Sequence, residues 1–213
     1  MAETATTARV TRPSADVTRD RILAAALDLF SERSFEGATT REIAARAGVT
    51  QPLLNYHFRS KEDLWHAAVD GLFAELNDAL TSRLAGLRGV DELSTAKLVV
   101  REFIYFSAAH PQLHRIITQE CKVDGSRIDW LVDRHIRPIY ETTVALFSRL
   151  VERGEVAPIP AAHLYYVITG AGATLFVLAP ECRRLAGFDP MEADMVETHA
   201  DAVTTLLFGA PPT

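Results

Sequence analysis

The chain is poor in several features that would place it in a familiar protein class. Its two cysteines, Cys121 and Cys182, are too few for a disulfide scaffold and suit a reducing compartment, although the sequence leaves a single bridge open. The longest uncharged apolar run, Leu164 to Pro180, falls short of the ~20 residues of a bilayer span and is interrupted by small residues, so no membrane partner is expected. The first twenty residues lack the apolar core of a signal peptide and read as a polar arm, which points to a cytoplasmic protein. There is no glycine-rich phosphate loop, no Gly-x-Ser-x-Gly elbow and no His-Glu-x-x-His pair, so neither enzyme activity nor a cofactor is expected. No alternating apolar pattern persists long enough to suggest strands.

What is present is an ordinary globular composition, 48% hydrophobic and 23% charged, with an uneven charge distribution. The net charge of −6 argues at first against a nucleic-acid partner. Residues 1–65, however, hold nine basic and nine acidic residues, so the entire acidic excess lies in residues 66–213. A neutral segment attached to an acidic body suggests two modules with different partners.

Apolar residues recur at helical spacing throughout. Ile22, Leu23, Ala26, Leu27, Leu29 and Phe30 form one stripe within a helix expected over Thr18–Ser34. Thr39 and Glu42 then stand at capping-box spacing, and "AGV" (Ala47 to Val49) stops the second helix after about two turns, with Gly48 free to adopt a left-handed conformation. Thr50 is a candidate N-cap for a third helix, with Pro52 in its first turn and Val49 and Leu54 at the positions of a hydrophobic staple. Ser60 and Asp63 open a fourth, long helix. Further helices are expected near Asp91–Ala109, Pro111–Cys121, Ser126–Arg153, Ala161–Leu178 and Glu192–Phe208, with Pro138 kinking or splitting the third of these. The expected fold is all-α.

Two short helices joined by a glycine-containing turn and held by a preceding helix form a helix-turn-helix, whose second helix reads DNA. At 100° per residue, Leu54 and Phe58 share the inner face, Pro52 and Tyr56 point away, and Leu53 and Asn55 lie on the flanks. Gln51 can pair with an adenine edge, and Pro52 or Leu53 can touch a thymine methyl. Tyr56, His57 and Lys61 suit phosphate oxygens, as do the N–H groups at the helix starts, where Thr50 stands; Arg41 can reach a guanine or a phosphate.

Thr18 to Trp65, with "TTREIAARAGVTQPLLNYHF" and "SKEDL" in one order, resembles the DNA-binding domain of the tetracycline-repressor-like (TetR) family of bacterial transcription regulators. The resemblance implies an N-terminal arm (1–16), a three-helix DNA-binding domain (17–64) and a larger helical effector-binding and dimerisation domain (65–213). It also implies a homodimer on a pseudo-palindromic double-stranded operator, usually repressing and released by a small molecule. By position it assigns Thr40, Tyr56, His57 and Lys61 to phosphates and Arg41, Gln51, Pro52 and Leu53 to bases. Two residues depart from the family pattern: Asn55 replaces a frequent tyrosine and could read adenine, and Ser34 replaces the glycine that usually ends the first helix. The same architecture could instead activate or answer a partner protein, and an all-α protein that binds no DNA is the reading from a different class.

In the acidic body, Leu164, Ile168, Gly172, Leu175, Val203, Leu206 and Leu207 are expected at a dimer interface, the alternative being that the small residues of Thr169–Thr174 ease packing within one subunit. Phe73, Phe103, Phe106, Trp130, Tyr140, Phe147 and Tyr166 are candidate walls for a pocket holding an apolar or aromatic effector. His110, His114 and Cys121 would share one face of a continuous helix and include metal-ligand types, but Pro111 sets His110 before the helix as a cap, so no metal site is expected. The cysteines are expected to be buried thiols rather than oxidant sensors.

Overall fold

The structure is a computed structural model that describes residues 15–86 and 89–209. The expected arm therefore lies outside the described residues, except for Ala15 and Asp16, which open the first helix. The described residues contain helices and no strand: α1 (Ala15–Gly37), α2 (Thr40–Arg46), α3 (Gln51–His57), α4 (Lys61–Ala85), α5 (Glu92–Ala109), α6 (Pro111–Glu120), α7 (Ser126–Leu131), a π-helical turn (Val132–Ile136), α8 (Arg137–Glu152), α9 (Ala161–Val177), α10 (Ala179–Leu185) and α11 (Ala193–Phe208). They pack as two units, divided after Ala68 within α4.

In the first unit the stripe of α1 is buried as its spacing requires. Ile22, Leu29 and Phe30 have almost no solvent access, and neither do Ile43, Leu54, Leu64 and Trp65 on the following helices. Each such side chain removed from water contributes roughly 1.5–3 kcal/mol. Phe35 stacks on Phe30 at 5.8 Å and meets Trp65 edge-on at 6.4 Å. The helix predicted to end at Ser34 instead kinks there, at φ 62° and ψ 173°, and continues to Gly37. Positive φ at a residue with a Cβ is strained, which is why glycine suits this place. Lys61 fixes the bend: its Nζ donates to the carbonyls of Phe35 (2.9 Å) and Ala38 (3.2 Å) and lies 4.3 Å from the centre of the Phe35 ring.

The expected capping box of α2 is present, with Glu42 N–H donating to Thr39 Oγ1 at 3.2 Å and Thr39 N–H donating to Glu42 Oε2 at 3.3 Å. Arg33 and Arg46 tie α2 and α1 together through Glu42 and Glu32. Gly48 takes φ +64°, and a Cβ there would lie 2.7 Å from Arg21 Nη2, the atom that donates to the Ala47 carbonyl at 2.6 Å. Only glycine meets both conditions.

The core of the second unit comes from α5, α8, α9 and α11, with Ile104, Phe147, Leu150, Phe176 and Ala200 among its most buried members. At its edge Arg101 bridges α5 to α11, pairing with Asp201 (2.5 Å) and with Glu197, which also accepts from Tyr105 Oη at 2.5 Å. The helix expected over Ser126–Arg153 is split, as Pro138 requires, but without a sharp break. A π-helical turn precedes α8 and brings Pro138 into that helix's first turn, where its missing N–H costs little. One short helix was not expected: α10 begins on Ala179–Pro180 and bends 72° away from α9. No single helix among the described residues is long and apolar enough to cross a membrane, and α9 and α10 would reach that length only as this bent pair.

The residues expected at a dimer interface differ in their exposure. Leu164, Ile168, Gly172, Val203 and Leu207 are buried inside the subunit, Leu175 is half-buried, and only Leu206 is well exposed, at 73%. Gly172 permits a close approach within one subunit, since a Cβ there would lie 2.8 Å from Phe103 Cε1. Gly172 therefore serves the α9–α5 packing, whereas a Cβ at Gly170 would meet nothing within 4 Å.

Candidate nucleic-acid interface and ligand cavity

In α3, Leu54 and Phe58 face inward, 1% and 3% exposed, whereas Tyr56 is 82% exposed. Gln51, Pro52, Leu53 and Asn55 are exposed with it, as are Thr50 at the N-cap and Arg41 on the first turn of α2. Thr40, His57 and Lys61 are half-buried. Thr50 has the extended backbone of an N-cap but makes no side-chain capping bond. Gln51 Nε2 donates to Thr40 Oγ1 at 3.4 Å, so the starts of α2 and α3 adjoin. Tyr56 stands edge-on to His57 at 5.4 Å. Lys61 spends two of its three donors on the carbonyls of Phe35 and Ala38 at the end of α1, a structural task that its sequence position did not reveal.

A cavity of about 570 Å³ opens among the helices of the second unit. Five of the seven expected wall residues line it: Phe73, Phe103, Phe106, Phe147 and Tyr166. The other two do not. Trp130 packs edge-on against His135 at 5.1 Å, under the Arg134 guanidinium, and Tyr140 packs edge-on against Tyr165 at 5.0 Å. Residues not anticipated as pocket walls are Leu113, Ile117, Val132, Ile136, Ile139 and Tyr165. The apolar face of α6 carries part of that signal, but the π-turn that brings Val132 and Ile136 to the wall leaves no mark in the spacing.

His110, His114 and Cys121 all line this cavity, although no group of His, Cys, Asp and Glu among the described residues could hold a metal ion. His110 caps α6 through its backbone rather than its side chain, and its ring stacks on Phe106 at 4.3 Å. Cys121 is exposed, correcting the expectation of a buried thiol, whereas Cys182 is buried. Although the residue is exposed, partial desolvation of its thiol, with Glu120 nearby, pushes Cys121 above its ordinary range, which opposes thiolate reactivity. Burial holds the His114 imidazole below its usual value and raises the Tyr165 phenol to about 12.

One wall of the cavity is tied to α4. His135, in the π-turn, stacks on Phe73 at 4.3 Å, and its Nε2–H donates to Asp70 Oδ1 at 2.9 Å. Arg134 donates to the same carboxylate from Nε (2.6 Å) and Nη2 (3.2 Å). Burial depresses the His135 pKa, although Asp70 pulls it upward.

An exposed reader helix in a helix-turn-helix, followed on the same chain by a helical unit with an apolar cavity, defines a DNA-binding transcription regulator. Residues 22–68 match the family described as bacterial regulatory proteins, tetR family. The chain is similar to the HTH-type transcriptional regulator RutR of Escherichia coli (strain K12), 29% identical over 170 residues, which is 78% of this chain and 77% of that one. It also resembles the tetracycline repressor protein class A from transposon 1721 of Escherichia coli, 46% identical over 54 residues, or 25% of each chain. Among solved structures, that of AibR in complex with isovaleryl coenzyme A and operator DNA has the same fold, with a TM-score of 0.73 at 19% identity, covering 91% of this chain and 100% of that one. The match over residues 22–68 and the likeness to RutR support a tetR-family transcriptional regulator.

Proposed function

We propose that this regulator is a repressor that binds a pseudo-palindromic operator as a homodimer and leaves it when a small apolar or aromatic molecule enters the cavity. Residues 17–64 form its DNA-binding domain and residues 65–213 its effector-binding and dimerisation domain. The observation that carries the reading is the division of α3 into a buried side, Leu54, and an exposed side with Gln51, Pro52, Leu53, Asn55 and Tyr56. The exposed set offers amides to adenine edges and apolar groups to thymine methyls, while Thr40, Arg41, Thr50, His57 and the remaining donor of Lys61 suit phosphates. The AibR structure, with a ligand and operator DNA bound together, supports both partners.

For the dimer we assign a different face from the one read in the sequence: Val167 on α9, Leu178 between α9 and α10, Leu185 on α10 and Leu206 on α11, all exposed apolar side chains. A second copy of the chain is the natural cover for them. Coupling runs through α4, a continuous helix whose first turns belong to the DNA-binding unit and whose Asp70 and Phe73 are held by the π-turn at the cavity wall. An effector that displaces Val132, Ile136 or Phe73 disturbs that hold, and it weakens DNA binding if it binds better to the displaced state.

A gel-shift assay on the DNA flanking the chain's own gene tests the reading. A discrete complex at nanomolar protein, resistant to random competitor DNA, is the expected result; equal affinity for both DNAs would overturn it. Sedimentation should give a dimer for the wild type and a monomer for Leu206→Glu combined with Val167→Glu.

A further inference from the structure

The cavity's hydroxyl and imidazole groups are not all satisfied within the protein. The hydroxyls of Ser107, Thr118 and Thr169 each donate to a carbonyl one turn back in their own helix, at 2.7, 2.7 and 3.0 Å. They are satisfied without a ligand. His114, Thr143 and Tyr165 differ: among the described residues their side chains have no hydrogen-bond partner in the protein, and all three line the cavity. A half-buried polar group without a partner loses part of its hydration, and a ligand atom of the right kind recovers that cost.

The surroundings indicate what kind of atom that is. No Asp or Glu lines the cavity, so a cationic ligand finds no counter-charge there. Lys122, the one Lys or Arg on the wall, is exposed. Cys121, at the C-terminal end of α6, also lines the cavity, and the negative end of the helix dipole there disfavours an anion. Burial shifts His114, Cys121 and Tyr165 each toward its uncharged form, so this part of the wall opposes charge of either sign. A protonated phenol is a donor, and so is one nitrogen of a neutral imidazole.

We infer that, given the ligand-responsive reading above, the effector is an uncharged and largely apolar carbonyl compound, such as a ketone, ester or lactone, whose oxygen accepts hydrogen bonds from Tyr165 Oη and His114. Its hydrocarbon part lies against the apolar wall formed by Phe103, Phe106, Phe147 and Ile139. The match is by hydrogen bond and shape rather than by charge, so it discriminates strongly between head groups on the same chain.

The test uses the full-length protein and three molecules that share an eight-carbon tail: decan-2-one, nonanoate and decan-2-amine. Affinity is measured by calorimetry at neutral pH, alongside operator gel shifts of the same samples. Decan-2-one should bind at least tenfold more tightly than the carboxylate and the amine. Tyr165→Phe, which keeps the ring and its contacts with Tyr140 and Tyr166, should weaken decan-2-one about five- to tenfold and leave nonanoate unchanged. Equal or tighter binding of nonanoate or decan-2-amine would overturn the inference, as would an unchanged ketone affinity in Tyr165→Phe or no binding of the ketone at all. Operator binding by the ligand-free protein in the parallel gel shifts separates such a failure from a failure of the regulator reading.

Discussion

Gln51, the first residue of α3, donates through Nε2 to Oγ1 of Thr40, the first residue of α2, at 3.4 Å. The bond is long and exposed, so it orients the amide and is easily exchanged for a base edge. It also joins two helix starts whose free N–H groups favour phosphate. Gln51→Ala should relax specificity at one base step by about 1–3 kcal/mol, whereas Thr40→Val should weaken all sequences alike. Binding to a panel of single-base operator variants, at several salt concentrations, distinguishes the two. Asn55, exposed on the same helix, is where replacement by tyrosine should change the preferred sequence rather than abolish binding.

Ser34 occupies a backbone conformation that glycine adopts without strain. Ser34→Gly should stabilise the protein by about 1 kcal/mol, less the extra chain entropy of the unfolded glycine. Thermal melting gives the answer directly: an unchanged or lower Tm would mean that the Ser34 side chain contributes more than its strain costs.

Gly172 is the converse case. Gly172→Ala sets a methyl against the Phe103 ring, and overpacking of this kind costs about 1–3 kcal/mol. Because Phe103 lines the cavity, the same change should also shrink the site and lower effector affinity. Denaturant unfolding and ligand titration measure the two effects separately.

The stability of the second unit should fall in mildly acidic solution. His114 and His135 both have folded pKa values below their ordinary 6.5, chiefly through burial. The folded state therefore resists protonation that the unfolded chain accepts. Stability is full above about 6.5 and is lost as the pH drops from there toward the folded values. The carboxylates held low by hydrogen bonds or ion pairs, such as Glu42 and Asp91, act only further down, below about 4.5. Melting curves between pH 8 and 5 should show the decline, and His114→Phe should flatten it.

Asp70 accepts from both Arg134 and His135, and Asp70→Asn should loosen that hold on α4. The expected result is a protein that still binds operator and effector but couples them less, by about 0.5–2 kcal/mol. Operator titrations with and without saturating effector measure the coupling. An unaltered ratio would exclude this contact from the transmission.

The helix-turn-helix could be read in the sequence because its information is local. The Thr39–Glu42 capping box, Gly48 at the turn and the inward spacing of Leu54 and Phe58 act over a few residues, and each has its expected place. The second unit is read less completely. Its helices follow from the apolar period, but Trp130 and Tyr140 miss the cavity and five of the seven residues expected between subunits lie inside one. Large aromatic and small residues carry no signal for which neighbour they will meet.

The sequence by itself determined that the chain is helical, where the capping box of α2 and the turn before α3 fall, and which face of α3 is polar. Those outcomes depend on backbone sterics and on spacing within single helices. Only the tertiary structure decided that Lys61 is drawn to the end of α1, that His114 and Tyr165 face one cavity, and that the π-turn joins its wall to Asp70 on α4. These relationships link residues far apart in the chain, and packing alone selects which distant side chains become neighbours.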